Sequence, residues 1–512
     1  MFSRRGGRYR RRRVFLDARD IDEGTELDCD VCVVGAGAAG ITIARELDAA
    51  GVRTCLLESG GMRYEEGTQA LYEGESVGDR YRVTESGPAD VLRVSRLRFF
   101  GGSTNHWDGW CRELDELDFE ARDGVPGSGW PIERAVLDGP YARARELCQL
   151  PAPSFEPAFW GRRTRTRPLR LGPLAANEVF QFSAPTRFGQ AYGGDLRRSR
   201  RVRVVLHANA VGLAAAPSGG RIERVRVRTL DGRRFAVRGR QFVLASGGIE
   251  NPRLLLASND VRPHGIGNDR DQVGRCFADH PHGLVGLAAL RSDLDLRFYG
   301  FSPAKGRPAM RGALATAPDH VRRQGLLRFT ATVEPLDRGE PPPLRAEVGE
   351  MLGAIHGDAR FGITSELFMR AEQAPNPDSR VTLSPRDRDP LGMPRVRVDW
   401  RLGRLDRESA VRSVEAVGRA LGAAGAGRVF NLVRVNDAVW KGVHGADHHI
   451  GTTRMHDDPR RGVVDRHCRV HGVANLHVAG SSVFPTTGSA NPTLTIVALA
   501  VRLAGRLRGA LA

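Results

Sequence analysis

Two histidines stand before a glycine–threonine turn in His448-His449-Ile450-Gly451-Thr452, and Asn491-Pro492 follows farther along the chain. An imidazole that titrates near neutrality can take the proton of an alcohol. An amide can hold the same oxygen without competing for that proton. Hydride must also leave the carbon, so the pair predicts alcohol oxidation beside a redox ring, with His448 and Asn491 as the catalytic residues. In an extended segment His448 and His449 point to opposite faces, so only one of them does the chemistry. Two bland readings compete: a structural buried histidine, and a metal site using His444, Asp447, His448 and His449. The spacing matches no zinc pattern, and no metal is expected.

A second segment with chemical content is Phe99-Phe100-Gly101-Gly102-Ser103-Thr104-Asn105-His106-Trp107. The glycine pair leaves room for a flat ligand, Asn105 can donate or accept, and His106 can serve as nucleophile or ligand. Taken alone, a glycine turn before a packed His-Trp pair is equally consistent.

These residues need a frame. Val31–Val34 reads as a buried parallel strand, Ile41–Ala50 as a helix ending at Gly51, and Val52–Leu57 as a second strand with Glu58 at its end. Between the first two, Gly35, Gly37 and Gly40 have dinucleotide-binding spacing. Gly35 permits the turn, Gly37 admits a pyrophosphate, and Gly40 lets helix and strand approach. The helix N-terminus favours the phosphates, and Glu58 suits an unphosphorylated ribose. The motif alone leaves FAD and NAD open.

The middle of the chain supplies more elements. Val202–Leu206 and Phe235–Ala245 read as strands, and Ser246–Leu256 as a glycine turn with a helix after Pro252. Val273–Pro281 reads as a turn-rich segment. From Gly283 to Arg428 alternating runs (Leu326–Val333, Arg380–Leu383, Arg395–Trp400) predict an antiparallel sheet, with a helix over Arg407–Leu421. Val470–Gly488 reads as strand, turn and loop. Asn491 as N-cap and Pro492 at the first helical position predict a long closing helix. Its positive end would favour the charge that a reduced flavin pyrimidine ring carries. The expected class is α/β, α+β overall: a Rossmann-like domain over 14–282 and 429–512, with an inserted substrate lobe over 283–428.

The net charge is +17, and seven Arg lie within the first thirteen residues. These residues are expected to be an incidental, disordered basic tail; nucleic-acid binding through them is the alternative weighed. The seven cysteines are odd in number and not spaced as a disulfide framework. Cys29 and Cys32 form a C-x-x-C, but strand alternation would point them apart, against a redox or zinc role. No apolar run approaches the ~20 residues of a membrane span. The start is no convincing export signal, and the cytoplasm is the expected compartment.

Taken together, the motifs from about Asp28 to Leu507 resemble those of the glucose–methanol–choline (GMC) family of flavin oxidoreductases, most closely its pyranose and sugar oxidase branch. They are Gly35–Gly40 with Glu58, Gly101–Trp107, Gly247–Leu256, Val273–Pro281, His448–Thr452 and Val470–Ala500. The resemblance implies FAD and not NAD, with His448 as base and Asn491 as its partner. It carries cofactor contact to Gly35, Gly37, Ala38, Gly40, Glu58, Ser59, Gly101, Gly102, Ser103, Asn105, His106, Val211, Gly480, Ser481, Pro492 and Thr493. In pyranose and choline oxidases the residue equivalent to His106 bonds covalently to the flavin 8α-methyl; the alternative is an unattached, packed histidine. One departure is Ala479-Gly480-Ser481-Ser482, where many members have Asp-Ala-Ser. The carboxylate that anchors the flavin there is absent, so backbone N–H groups must substitute.

The function so implied is oxidation of an alcohol carbon of a sugar, glycoside or polyol, with hydride passing to flavin N5 and oxygen, a quinone or a redox protein as electron acceptor. Alternatives are a non-redox lyase of the same fold, and oxidation of a sterol or small hydrophobic alcohol.

Overall fold

The computed structural model describes residues 14–79, 81, 88–300, 309–335 and 361–511. The basic segment 1–13 and parts of the expected inserted lobe lie outside the described residues.

The main sheet has the order Phe15–Asp17, Val202–Leu206, Thr54–Leu57, Glu26–Val34, Arg234–Leu244, Ile222–Arg228, Asn209–Ala215, with Leu476–Val478 also on Arg234–Leu244. Neighbours are parallel from Phe15–Asp17 through Arg234–Leu244, and Leu476–Val478 joins in parallel; the last two are antiparallel. Val31, Cys32 and Val33 are fully buried because helices cover the sheet. The helix Ala38–Ala49 buries Ile41, Ile43, Ala44 and Leu47. The closing helix Thr493–Leu511 adds Leu494, Val497 and Leu503 to the same core. Each fully buried Ile or Leu contributes about 1.5–3 kcal/mol. The Rossmann-like α/β architecture is the one the sequence predicts.

The N–H groups of Asp30 and Val31 both donate to Arg53 O, at 2.8 and 3.2 Å, while register with Arg234–Leu244 stays one-to-one on either side of Asp30. The Cys29 and Cys32 thiols, expected to point apart, interact, and Cys55 joins them. All seven cysteines are buried free thiols.

The expected helix after Pro252 starts earlier, at Gly247, and runs to Ala257 with Pro252 inside it. Proline cannot donate to the carbonyl four residues back. That carbonyl, Gly248 O, instead accepts from Thr452 Oγ1 at 2.5 Å.

The second sheet is antiparallel, in the order Gly427–Asn431, His282–Arg291, Phe361–Ala371, Phe329–Pro335, Met310–Thr316, Ala175–Phe182, Trp110–Cys111. The long helix Arg404–Ala423 packs Val414, Val417 and Leu421 into its core. The sheet draws Trp110–Cys111 and Ala175–Phe182 from the chain before 283. Gly427–Asn431, across the expected boundary at 428, pairs with His282–Arg291. The runs Arg380–Arg388 and Pro394–Trp400 lie outside this sheet: they form a third, three-stranded one with Gly74–Gly78. Its core of Trp400, Val398 and Val381 includes Phe277 and Ile249, so it stands beside the nucleotide domain. Sequence alternation marks strands but not all their partners: Pro394–Trp400 pairs with Gly74–Gly78, from the far end of the chain.

Candidate active site

A cavity of about 560 Å³ runs along the C-terminal ends of the parallel strands, from Gly35 and Glu58 at one end to His448 and Asn491 at the other. Ligands of open α/β sheets bind at this edge.

At the nucleotide end the backbone does the work. Gly35 has φ +103°. A Cβ on Gly40 would lie 1.8 Å from Gly35 O, so only glycine lets the helix start here. A Cβ on Gly37 would meet nothing within 4 Å, because Gly37 faces the cavity. Glu58 accepts from Ala36 N at 2.9 Å and Gly60 N at 3.1 Å, which fixes its carboxylate at the cavity wall. Burial raises its pKa. Ser59 Oγ accepts from Arg98 Nε at 2.6 Å. Arg98 and Arg96 lie over Tyr72, 4.7 and 4.0 Å from the ring centroid, and both pair with Glu250 at 3.2 Å. Glu250, held down to about 2 by Arg253, Arg96 and Arg98 against the opposing effect of burial, was not singled out from sequence. Val211 does not line the cavity; Ala208 and Ala210 do. A register shift between Ala210 and Gly212 accounts for its displacement.

The Gly101–Trp107 segment is a tight turn against the first. Gly101 has φ +101°, and its N–H donates to Ala36 O at 2.9 Å. A Cβ on Gly102 would stand 3.0 Å from Gly37 Cα. Asn105 Nδ2 donates to Phe100 O at 3.1 Å and Gly102 O at 3.0 Å, so it holds the turn and does not reach the cavity. Gly101 and Gly40 likewise stand behind the lining. Gly102, Ser103, His106 and Trp107 are on it, with Ala38, Gly480, Ser481, Pro492 and Thr493.

At the catalytic end, Asn491 Nδ2 donates to His448 Nε2 at 3.3 Å. His448 is 18% exposed, and burial holds its pKa well below the usual imidazole value, so the ring is neutral at pH 7. His449 points elsewhere, its ring stacked 6.0 Å from both Tyr81 and Phe277. Ser481 Oγ donates to His449 O at 2.6 Å, so this serine braces the histidine segment. The closing helix begins one residue later than expected: Ile496 N donates to Pro492 O at 2.8 Å, which makes Pro492 the cap and frees Asn491 for His448.

Two residues at this end were missed. The backbone pairing of Ala278 with Ile450 brings Asp279 and His280 to His448. His280 Nδ1 is 2.9 Å from His448 Nδ1. The Asp279 carboxylate accepts from His280 N at 2.6 Å, from His448 N at 3.1 Å and from Tyr81 Oη at 2.6 Å. One carboxylate thus fixes the backbones of both histidines, and burial raises its pKa to about 7. The signal was the Asp279-His280-Pro281 end of a segment read only as turn-rich. Ligand atoms of Asp279, His280 and His448 lie within 4.8 Å of one another, as metal ligands would. Here they are engaged in hydrogen bonds with one another and with Tyr81.

The chain matches the GMC oxidoreductase family over residues 375–500 and the FAD dependent oxidoreductase family over residues 30–265. The chain thus carries a GMC oxidoreductase C-terminal domain and an FAD-dependent oxidoreductase domain. It is 24% identical to the fructose dehydrogenase large subunit of Gluconobacter japonicus, over 93% of its own length and 97% of that protein. It is 28% identical to 6'''-hydroxyparomomycin C oxidase of Streptomyces lividus, over 92% and 90%. In fold it is similar to the crystal structure of pyridoxine 4-oxidase from Mesorbium loti, with a TM-score of 0.53, 20% identity, and 93% and 99% of the two chains covered. It is an FAD-dependent enzyme that oxidises an alcohol carbon. The relatives are redox enzymes, which favours oxidation over the lyase reading.

The cavity fits FAD. Added Cβ atoms on Gly37, Gly247 and Gly480 would all point into open space on its wall. At Gly480, where many family members carry a carboxylate, φ is +109°, and the backbone is what faces the cavity. Among the described residues no helix is long and apolar enough to cross a membrane.

Proposed function

We propose that this enzyme oxidises a CH–OH group of a sugar, glycoside or polyol, with His448 as the base and Asn491 as the group that holds the oxygen. The observation that carries this reading is the His448 Nε2–Asn491 Nδ2 contact of 3.3 Å on the cavity wall. A substrate hydroxyl entering between them meets a lone pair and an N–H donor together. Its O–H bond breaks as an Nε2–H bond forms, while the amide stabilises the oxygen. FAD, when bound, supplies the hydride acceptor. Glu58 and the Gly35–Gly40 turn would hold its nucleotide half, and the start of the closing helix would face its ring.

The sugar class is supported by relatives named for fructose and for a C-glycoside, and by Trp107, Asp108, Trp110 and Asp447 on the cavity wall. These aromatic and polar surfaces suit a polyhydroxylated ligand better than a sterol. Oxygen, a quinone or a redox protein completes turnover. The seven unpaired buried thiols suit a reducing cytoplasm.

The test is anaerobic addition of sugars, glycosides, polyols and simple alcohols to the yellow enzyme. Bleaching by a polyhydroxylated compound supports the reading; bleaching by sterols or simple alcohols alone refutes the substrate class. We also propose that His106, on the cavity wall beside the Gly101–Gly102 turn, bonds covalently to the flavin. Acid precipitation should then leave yellow colour in the pellet, and colour wholly in the supernatant would exclude the bond.

A further inference from the structure

We propose that His280 is a positioning residue that fixes the tautomer of His448, leaving Nε2 bare to receive the substrate proton. The inference rests on the reading of His448 as the base. It starts at a carbonyl. Thr487 O can only accept, and His280 Nε2 lies 3.3 Å from it, so that nitrogen carries a hydrogen. His280 is 1% exposed, and burial keeps its ring neutral at pH 7. A neutral ring with hydrogen on Nε2 has an acceptor at Nδ1. His448 Nδ1, 2.9 Å away, must therefore donate. A neutral His448 with hydrogen on Nδ1 has its lone pair on Nε2.

The other side of His448 gives the same answer independently. Asn491 Nδ2 can only donate, and it lies 3.3 Å from Nε2. From Thr487 to Asn491, each donor meets an acceptor in one arrangement only. The two rings meet edge to face, with centroids 4.9 Å apart, and Asp279 holds both backbones. When Nε2 takes the proton, the Nδ1–H bond to His280 becomes charge-assisted and shelters the cation.

Removing the acceptor should reverse the preference. A buried N–H without a partner is penalised, so the Asn491 amide turns its Oδ1 toward Nε2, hydrogen moves there, and the base is lost from most molecules. His280→Leu holoenzyme should retain FAD and bleach anaerobically about 5- to 150-fold more slowly, chiefly in kcat and not KM. His280→Asn, whose Oδ1 stands near the place of Nδ1, should recover most of the rate. The other groups that face the pair are Asp279, Tyr81, Glu372, Arg370, His282, His444 and His449, and none is altered in these variants.

The readout independent of turnover is the ¹⁵N spectrum of histidine-labelled holoenzyme, with His448 assigned by its loss in His448→Ala. Hydrogen on Nδ1 supports the inference; hydrogen on Nε2 overturns it. Wild-type bleaching in His280→Leu overturns it, as does equal damage by Leu and Asn. If His280→Leu does not fold, the wild-type tautomer decides. A full-rate His448→Ala would instead refute the base assignment itself, whatever the tautomer.

Discussion

The nucleotide turn and the catalytic corner are built in opposite ways. From Gly35 to Glu58 one short stretch of chain supplies strand, turn, helix and acid, and most of the shaping is done by atoms that glycine lacks. The catalytic corner gathers His280, His448, Thr487 and Asn491 from distant segments, and its shaping is done by side-chain hydrogen bonds. The first should break by added atoms, and abruptly. The second should break by lost donors and acceptors, in graded steps.

The largest expected effect is therefore steric. Gly40→Val would force a Cβ to within 1.8 Å of Gly35 O, and the variant should purify without flavin absorbance or not fold. At the other end, Asn491→Ala should keep the cofactor and slow anaerobic bleaching by about 5- to 150-fold, the worth of a buried hydrogen-bond donor. A full-length yellow Gly40→Val, or a colourless Asn491→Ala, would erase the contrast between the two regions.

Smaller effects sharpen it. Glu58→Gln leaves one of the Ala36 and Gly60 N–H groups without its acceptor, so the dissociation constant for FAD should rise about fivefold in titration of the deflavinated protein. Deletion of residues 2–13 should leave kcat/KM unchanged; a loss of turnover would give the basic segment a role.

The contrast also explains what was legible in the sequence. The glycine spacing and Glu58 could be read because all of their geometry is local. His448 and Asn491 could be nominated by type and context. Their partner His280 could not, since only the Ala278–Ile450 pairing brings it near, and no periodicity encodes that contact. Asn105 and Ser481 were read as cofactor contacts; that Asn105 holds the Gly101–Gly102 turn and Ser481 the histidine segment appears only in three dimensions. The alternation argument for Cys29 and Cys32 failed because it weighed the strand alone, and the thiols of Cys29, Cys32 and the neighbouring strand's Cys55 meet in three dimensions. The strands at Arg380 and Pro394 were found and their sheet was not, for the same reason: partners are not written in the strand itself.

The most direct test is the pH dependence of anaerobic flavin reduction by a reactive polyol, for the wild type and His448→Ala. A base works unprotonated, so the rate should fall as pH drops through the His448 pKa. Burial places that acid limb well below 6.5. The account predicts this limb in the wild type, and its disappearance in His448→Ala together with a rate loss of about 10²–10⁴. An alanine variant with the wild-type rate and the same acid limb would contradict it.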